Sequence, residues 1–435
     1  MIKVGSCECS KAELDLFSMP PTNTSMESGT YEENNPVSPL DSVGDIEFNI
    51  ESGYQDYIDI GRTYIVVRAR VTKGKAEKLK KDAKVAPINN WLHSLFSQVN
   101  ISMNNKLITP SLNTYPWRAY LENLLSFGSE AKNNQGTSHL WYADTGNMNE
   151  DNPVADKPTN LGMAARGQLI GESKSVEMIG RLHSDIFHQN RYLPPGIELC
   201  IKLSRSDPCF HLIGAEEGYH THLEAVSIFV RKVKLNPAIS VQHNKLLNSG
   251  KMMKYPIRRA EVTSHIINAN VFNKTIDQLI VGQLPRRLIL GMISNASHSG
   301  QITENPFNFQ TFGLKYLSLT KDSVAIPSKP LTPNFKEGHF LSSYMSLLEG
   351  TGLIHTDRGN GINRSNYAHG FTLFAFDLTP DMAEGGHVDP IKHGKISLSV
   401  QFEKALEQTI NIIVYAEYDN VIQIDRAKNV TADYM

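Results

Sequence analysis

From Ile46 onward, apolar and polar positions alternate in short runs broken by polar, glycine- and asparagine-rich stretches. Ile46-Glu47-Phe48-Asn49-Ile50 places every second side chain on an apolar face, the period-2 pattern of a half-buried strand. The run TYIVVRARVT (63–72) is dense in β-branched and aromatic residues, which fit a pleated sheet surface. Further strands are predicted at 57–60, 99–103, 175–182, 197–204 and 222–235, with Asn104-Asn105 turning the second of these back on itself. After a proline-bearing connection (236–250) the style repeats, with strands predicted at 258–267, 278–281, 287–294, 312–320, 371–378, 395–402, 409–418 and 421–424.

Two segments break the strand pattern. In YPWRAYLENLLSF (115–127), Trp117, Tyr120, Leu121, Leu124 and Leu125 recur at helical spacing, Pro116 sits near the start and Gly128 provides a stop. A second helix is predicted at 339–348. Residues 129–170 are rich in Asn, Gly and Asp with weak periodicity, and so read as a long loop with a purpose of its own or with mobility. Residues 73–84 read as a charged loop. The first 44 residues, rich in Ser, Pro, Asn and acidic side chains, read as a flexible N-terminal arm that is extended or orders on assembly.

The fold class expected from the pattern is therefore all-β, with two β-sandwich domains in tandem and a few short helices in the connecting loops; that these are jelly rolls (a double jelly roll) is what the resemblance given below implies. The domains are expected at 45–236 and 254–428, joined by a linker at 237–253 and followed by a tail at 429–435. The chain of 435 residues is long enough for two domains and needs no disulfide or metal to hold its cores. About fourteen strands are counted where two eight-stranded jelly rolls require sixteen. No sequence repeat links the halves, so the duplication rests on their style.

Composition narrows the function. Lys+Arg 43 against Asp+Glu 45 leaves a formal charge of -2, without the cationic excess that dominates phosphate binding. The arm carries only Lys3 and Lys11 among many acids and would repel phosphate, so no strong direct nucleic-acid binding is expected. No apolar run reaches the length of a membrane span, and the start of the chain does not read as a secretory signal.

The candidate chemistry is thin. Gly350-Thr-Gly352 and Gly359-Asn-Gly361 lack the strand and Lys-Ser/Thr context of a phosphate loop, and read as turns. There is no G-x-S-x-G elbow. His183-Ser184-Asp185 has triad residue types side by side, but strand neighbours point to alternate faces and do not converge. His220 and His222 could share a strand face as metal ligands, yet a zinc site needs further donors and none stands out. Cys7 and Cys9 lie in the arm, and with Cys200 and Cys209 match no zinc spacing. The basic pairs Arg258-Arg259 and Arg286-Arg287, and the lysines Lys78, Lys80 and Lys81, read as solvated faces or charged contacts between subunits. Catalytic, cofactor and metal residues are all expected to be absent.

Several long segments resemble the hexon-type major capsid protein of adintoviruses and the related Maverick/Polinton elements. They are PLDSVGDIEFNIESGYQDYIDI (39–60), VAPINNWLHSLFSQVNISMNNKLITPSLNTYPWRAYLENLL (85–125), GRLHSDIFHQNRYLPPGIELCIKLSR (180–205), KYPIRRAEV (254–262), GQLPRRLILGMI (282–293), NPFNF (305–309), GFTLFAFDLTPDM (370–382) and NIIVYAEYDNVIQIDRAKNV (411–430). The resemblance runs from about Leu14 to near the end of the chain. It implies a non-enzymatic double jelly-roll subunit that forms homotrimers, pseudo-hexagonal capsomers that tile an icosahedral shell beside a minor, penton-like protein. It also implies synthesis in the host cytoplasm, assembly in the nucleus and residence in the virion capsid. Under that reading the long loop 129–170 would project from one end of the sandwiches as a tower or an interlock. The alternatives are a minor capsid protein, a host-domesticated capsid-derived protein, or a carbohydrate-binding or enzymatic β-sandwich.

Overall fold

A computed structural model describes residues 5–7, 9–40, 44–74, 76–380, 382 and 388–434. Parts of the expected arm (1–4, 8 and 41–43) and the last residue of the expected tail lie outside them. Every ladder between its strands is antiparallel. Four larger sheets form two facing pairs, a two-stranded sheet joins Val85–Pro87 to Leu212–Gly214, and the architecture is a double jelly roll.

In the first half, one sheet runs in the order Met26–Asn34, Tyr219–Leu235, Asp56–Lys73, Glu77–Lys78, with Val176–Gly180 also paired to Asp56–Lys73. The facing sheet runs Ile46–Glu51, Glu198–Arg205, Phe96–Met103, Lys106–Leu107. Alternation sets the register: Ile46, Phe48 and Ile50 are buried while Asn49 and Glu51 face out. Asn104 and Asn105 both take positive φ (47° and 63°), as a tight hairpin turn between Phe96–Met103 and Lys106–Leu107 requires. In the second half the sheets are Met253–Ile267, Ile410–Ile424, Arg287–Ser294, Leu373–Asp377 and Asn273–Gln283, His393–Phe402, Leu314–Lys321, Val324–Leu331.

In each half the opening strand pairs with the closing one: Met26–Asn34 with Tyr219–Leu235, and Met253–Ile267 with Ile410–Ile424. The opening strand of the first half lies inside the stretch read as an arm. Its sequence, MESGTYEEN, has no apolar alternation because it is an edge strand exposed along nearly its whole length, so its place is set by backbone pairing. The stretch read as a linker holds a helix, Pro237–Asn248, which opens on Pro237 with the Asn236 side chain accepting from Ala238 N. The stretch read as a tail adds Val430–Ala432 to the edge of Ile410–Ile424. Val324–Leu331, absent from the strand reading, carries Pro327 and Pro330 and is an edge strand, where a missing N–H is tolerated.

Among the described residues, three large apolar bodies and a small one around Tyr57, Val233 and Leu235 hold the molecule. One fills the first sandwich around Phe48, Ile65, Val67, Trp91 and Ile201. Another fills the second around Leu288, Phe374, Leu398, Phe402 and Val414. The third lies between the sandwiches and draws on both halves: Trp117, Tyr120 and Trp141 from the first, Phe307, Phe309, Phe340 and Tyr415 from the second. The helix Tyr115–Ser126 runs through this layer, which is why most of its residues are buried instead of only one stripe. Tyr120 stacks on Phe307 with ring centroids 4.1 Å apart and on Trp141 at 5.2 Å.

The stretch 129–170 is neither a free loop nor a tower. It contains the helices Ser129–Asn133 and Leu161–Ile170 and is pinned by polar contacts that its composition hides. Arg166 is fully buried and donates to Asp144 Oδ1 at 2.6 Å, to the Pro87 carbonyl at 2.7 Å and to the Tyr142 carbonyl. The other Asp144 oxygen accepts from Asn305 Nδ2 of the second half at 3.1 Å, and Asn149 donates to Glu304 at 2.6 Å. The segment therefore interlocks the two sandwiches of one chain.

Candidate functional site

A concavity of about 1090 Å³ forms a cleft between the sandwiches beside the central helix. Its walls come from that helix (Glu122, Asn123), from 126–141 (Lys132, His139), from 179–188 (Arg181, His183, His188) and from the second half (Arg258, Arg286, Arg287, Tyr415, Glu417, Asp419).

The central helix places Arg118 and Glu122 one turn apart, so both meet the segment that follows the strand Val176–Gly180. Arg118 donates to Asp185 at 2.6 Å, to Glu122 Oε1 at 2.9 Å and to the Ala260 carbonyl at 3.2 Å. His183 Nδ1 lies 2.6 Å from Glu122 Oε2, and His188 Nδ1 lies 4.0 Å from the same oxygen. Four imidazoles form a chain along the wall: His139 to His93 at 5.5 Å, His93 to His183 at 4.6 Å and His183 to His188 at 5.8 Å. His93 Nδ1 is also 2.9 Å from the Tyr115 hydroxyl.

Burial works against every charge here, and neighbours decide the outcome. It raises the Glu122 pKa, but Arg118, the bond to His183 and the neighbouring imidazoles outweigh it and hold the carboxyl well below its usual range. Burial pushes His139 down to about 4 and carries His93 well below its ordinary value, and the cleft walls desolvate the part-exposed His188 enough to push it down to about 4 as well. Lys132, hydrogen-bonded to the Asn360 carbonyl at 2.6 Å and lying 5.3 Å over the Trp141 ring, is pushed down to about 7 by burial.

The residues singled out in the sequence are scattered. His183 and Asp185 do reach the cleft network, but to different partners, and Ser184 bonds to neither. His222 Nε2 pairs with Thr72 Oγ1 at 2.9 Å while His220 is exposed, so they do not converge on a metal. Cys7 and Cys9 are exposed; Cys200 and Cys209 are free and partly buried. Arg258 is exposed, as a solvated face requires, but the other three paired arginines are engaged within the chain. Arg286 bonds both Asp419 oxygens at 3.1 and 3.2 Å, Arg287 reaches Glu417 at 3.4 Å, and Arg259 donates to Asn420 at 2.9 Å beneath the Tyr418 ring. Lys78, Lys80 and Lys81 are exposed. What the sequence reading missed is Glu122 with His188: they lie 66 positions apart, and neither sits in a motif.

A second kind of site is the outer surface. Val281 (64% exposed), Ile266 (59%) and Val324 (65%) present large apolar side chains on strands of the second half. Leu14, Leu16, Phe17 and Met19 are all exposed near the N-terminus. No helix among the described residues is long and apolar enough to cross a membrane.

The fold is similar to that of solved chains from viruses and their capsids. A chain of the Sputnik virophage matches with a TM-score of 0.65 at 14% identity, covering 99% of this chain and 93% of that one. A chain of the PBCV-1 virus capsid matches at 0.57 with 12% identity, covering 96% and 99%. The mavirus major capsid protein matches at 0.52 with 13% identity, covering 100% and 96%. In sequence, the Caenorhabditis elegans uncharacterized protein F54H12.2 is 25% identical over 430 residues, 95% of this chain and 99% of that protein. No protein-family model matches.

Proposed function

We propose that the chain is a structural, non-enzymatic major capsid protein of the hexon type, and that three copies form a pseudo-hexagonal capsomer that tiles an icosahedral shell. The observation that carries this reading is full-length likeness: both sandwiches and the helix-bearing layer between them align over 99% of the chain with a virophage particle protein. The sequence resemblance to adintoviruses and Maverick/Polinton elements supports placing it in that group. The two sandwiches are taken as 45–236 and 254–428, with Met26–Asn34 contributed to the first by the segment before it. Six similar sandwiches around a threefold axis give a nearly hexagonal block, and closed symmetry leaves its outer sides for lattice contacts. Exposed Val281, Ile266 and Val324 are candidates for such contacts, since lasting interfaces are apolar and exceed about 2,000 Å² in total. The acidic-leaning arm fits a shell whose genome is handled by other proteins, and the virion capsid is the location that goes with the role.

A second reading, a host-encoded protein derived from a capsid gene, is favoured by one observation: the nematode relative spans the same length nearly end to end. The chain expressed alone, weighed in solution and imaged by electron microscopy, tests both. A stable trimer supports the capsomer, and trimers with shells support a working capsid protein. A stable monomer at high concentration overturns the proposal.

A further inference from the structure

We propose that Glu122, His183 and His188 form a binding site for one divalent transition-metal ion, Zn2+ by donor type, on the first-half wall of the inter-sandwich cleft. The three side chains offer one carboxylate oxygen and two imidazole nitrogens, all within 4.8 Å of one another. Tetrahedral zinc, with bonds of about 2.0–2.1 Å, sets its donors about 3.3 Å apart. His183 Nδ1 and Glu122 Oε2, now 2.6 Å apart, would open slightly, and His188, at 4.0 Å from the same oxygen, would close. Two imidazoles and one carboxylate with the fourth position left to water is a donor set zinc uses, and imidazole donors disfavour Mg2+ and Ca2+.

The surroundings hold these donors in place. Glu122 is fixed through its other oxygen, Oε1, which accepts from Arg118 at 2.9 Å and from the Tyr415 hydroxyl at 3.4 Å, so Oε2 stays turned toward the imidazoles. The His183 backbone N–H donates to the Tyr115 hydroxyl at 3.3 Å, and its ring packs edge-on against His93. Such outer partners orient metal ligands. Arg118 would repel a cation if its charge were free, but it is paired with Asp185 at 2.6 Å in the same buried network. Arg181 also lines the cleft, and its positive charge opposes a cation there. His188 sits at the exposed end of the group, which gives an ion a path from the cleft. Binding exchanges water ligands of the aqua ion for protein donors: two M–N bonds and one M–O bond form as M–OH2 bonds break, and a proton on His183 Nδ1 shifts to Nε2 so that Nδ1 can coordinate.

This inference does not depend on the capsid reading. The full-length protein is stripped with a chelator and titrated with ZnCl2 by calorimetry, with bound metal counted by mass spectrometry, and Co2+ serves as a spectroscopic probe. The expected result is one Zn2+ per chain, a raised Tm, and a tetrahedral Co2+ spectrum lacking the thiolate charge-transfer band. His188→Ala, at the exposed end, should weaken zinc by more than the roughly 10–100-fold typical of losing an outer partner. Glu122→Gln should do the same, while Cys7→Ser with Cys9→Ser should change nothing. Circular dichroism confirms that each variant is folded. The proposal is overturned by absence of stoichiometric zinc in the reloaded wild type, by wild-type affinity in folded His188→Ala, or by loss of binding in the cysteine variant.

Discussion

Arg166 and Asp144 form an ion pair 2.6 Å long in which both side chains are almost wholly removed from solvent. The pair closes a segment whose composition reads as loop, and its second oxygen reaches across to Asn305 in the other sandwich. Two charges out of water survive there because the guanidinium also has the Pro87 and Tyr142 carbonyls. Asp144→Ala strands the guanidinium, and the expected loss is about 3–5 kcal/mol of unfolding free energy. Chemical denaturation of the purified protein measures it. A loss under about 1 kcal/mol would show that the pair is not what orders the segment.

The stacked layer between the sandwiches makes a paired prediction at one position. Tyr120→Ala removes a ring held between Phe307 and Trp141 and should cost about 3–5 kcal/mol. Tyr120→Phe should be neutral or slightly stabilising, because the buried hydroxyl has no hydrogen-bond partner. Thermal melts of the two variants side by side separate packing from polarity.

Gly162 is required by close approach. A Cβ there would strike the Ala143 and Tyr142 carbonyl oxygens, which belong to backbone and cannot swing aside. Gly162→Ala should therefore destabilise by about 1–3 kcal/mol or more despite sitting in a helix, where alanine is ordinarily favoured. Equal or higher stability in the alanine variant would contradict the packing of Leu161–Ile170 against 142–143.

Acid sensitivity should follow from His211. Burial pushes its pKa down to about 4, against the nearby Asp207, and its Nδ1 is without a hydrogen-bond partner. Its Nε2 lies 2.9 Å from Thr221 Oγ1. Below the ordinary value near 6.5 the unfolded chain takes up a proton that the folded chain refuses, so stability falls as pH drops from about 6.5 and levels off below about 4. The contribution is on the order of 3 kcal/mol across that window. Denaturation midpoints at pH 7.5 and 4.5 should converge by part of that amount in His211→Gln relative to wild type, and an unchanged difference would count against the buried neutral form.

Most strands were legible because burial on one face writes itself into the sequence. Ile46, Phe48 and Ile50 alternate because alternate side chains enter the core, and Tyr115–Ser126 reads as a helix because its large residues recur every three to four positions. Met26–Asn34 left no such trace: an edge strand exposed on both faces is chosen by its partner's unpaired backbone, not by its own side chains.

The sequence by itself determined an all-β chain with two strand-rich halves, and the absence of any local catalytic or phosphate-binding motif. Only the tertiary structure decided what the polar residues do. Arg118 meets Asp185 across 67 positions, Arg166 meets Asp144 across a segment that reads as loop, and Glu122 meets His183 and His188 only where the central helix passes the chain that follows the strand Val176–Gly180. The physical reason is that apolar burial is non-directional and leaves a periodic imprint in the chain, whereas a buried polar side chain needs one partner at one distance, and that partner can come from anywhere in the fold.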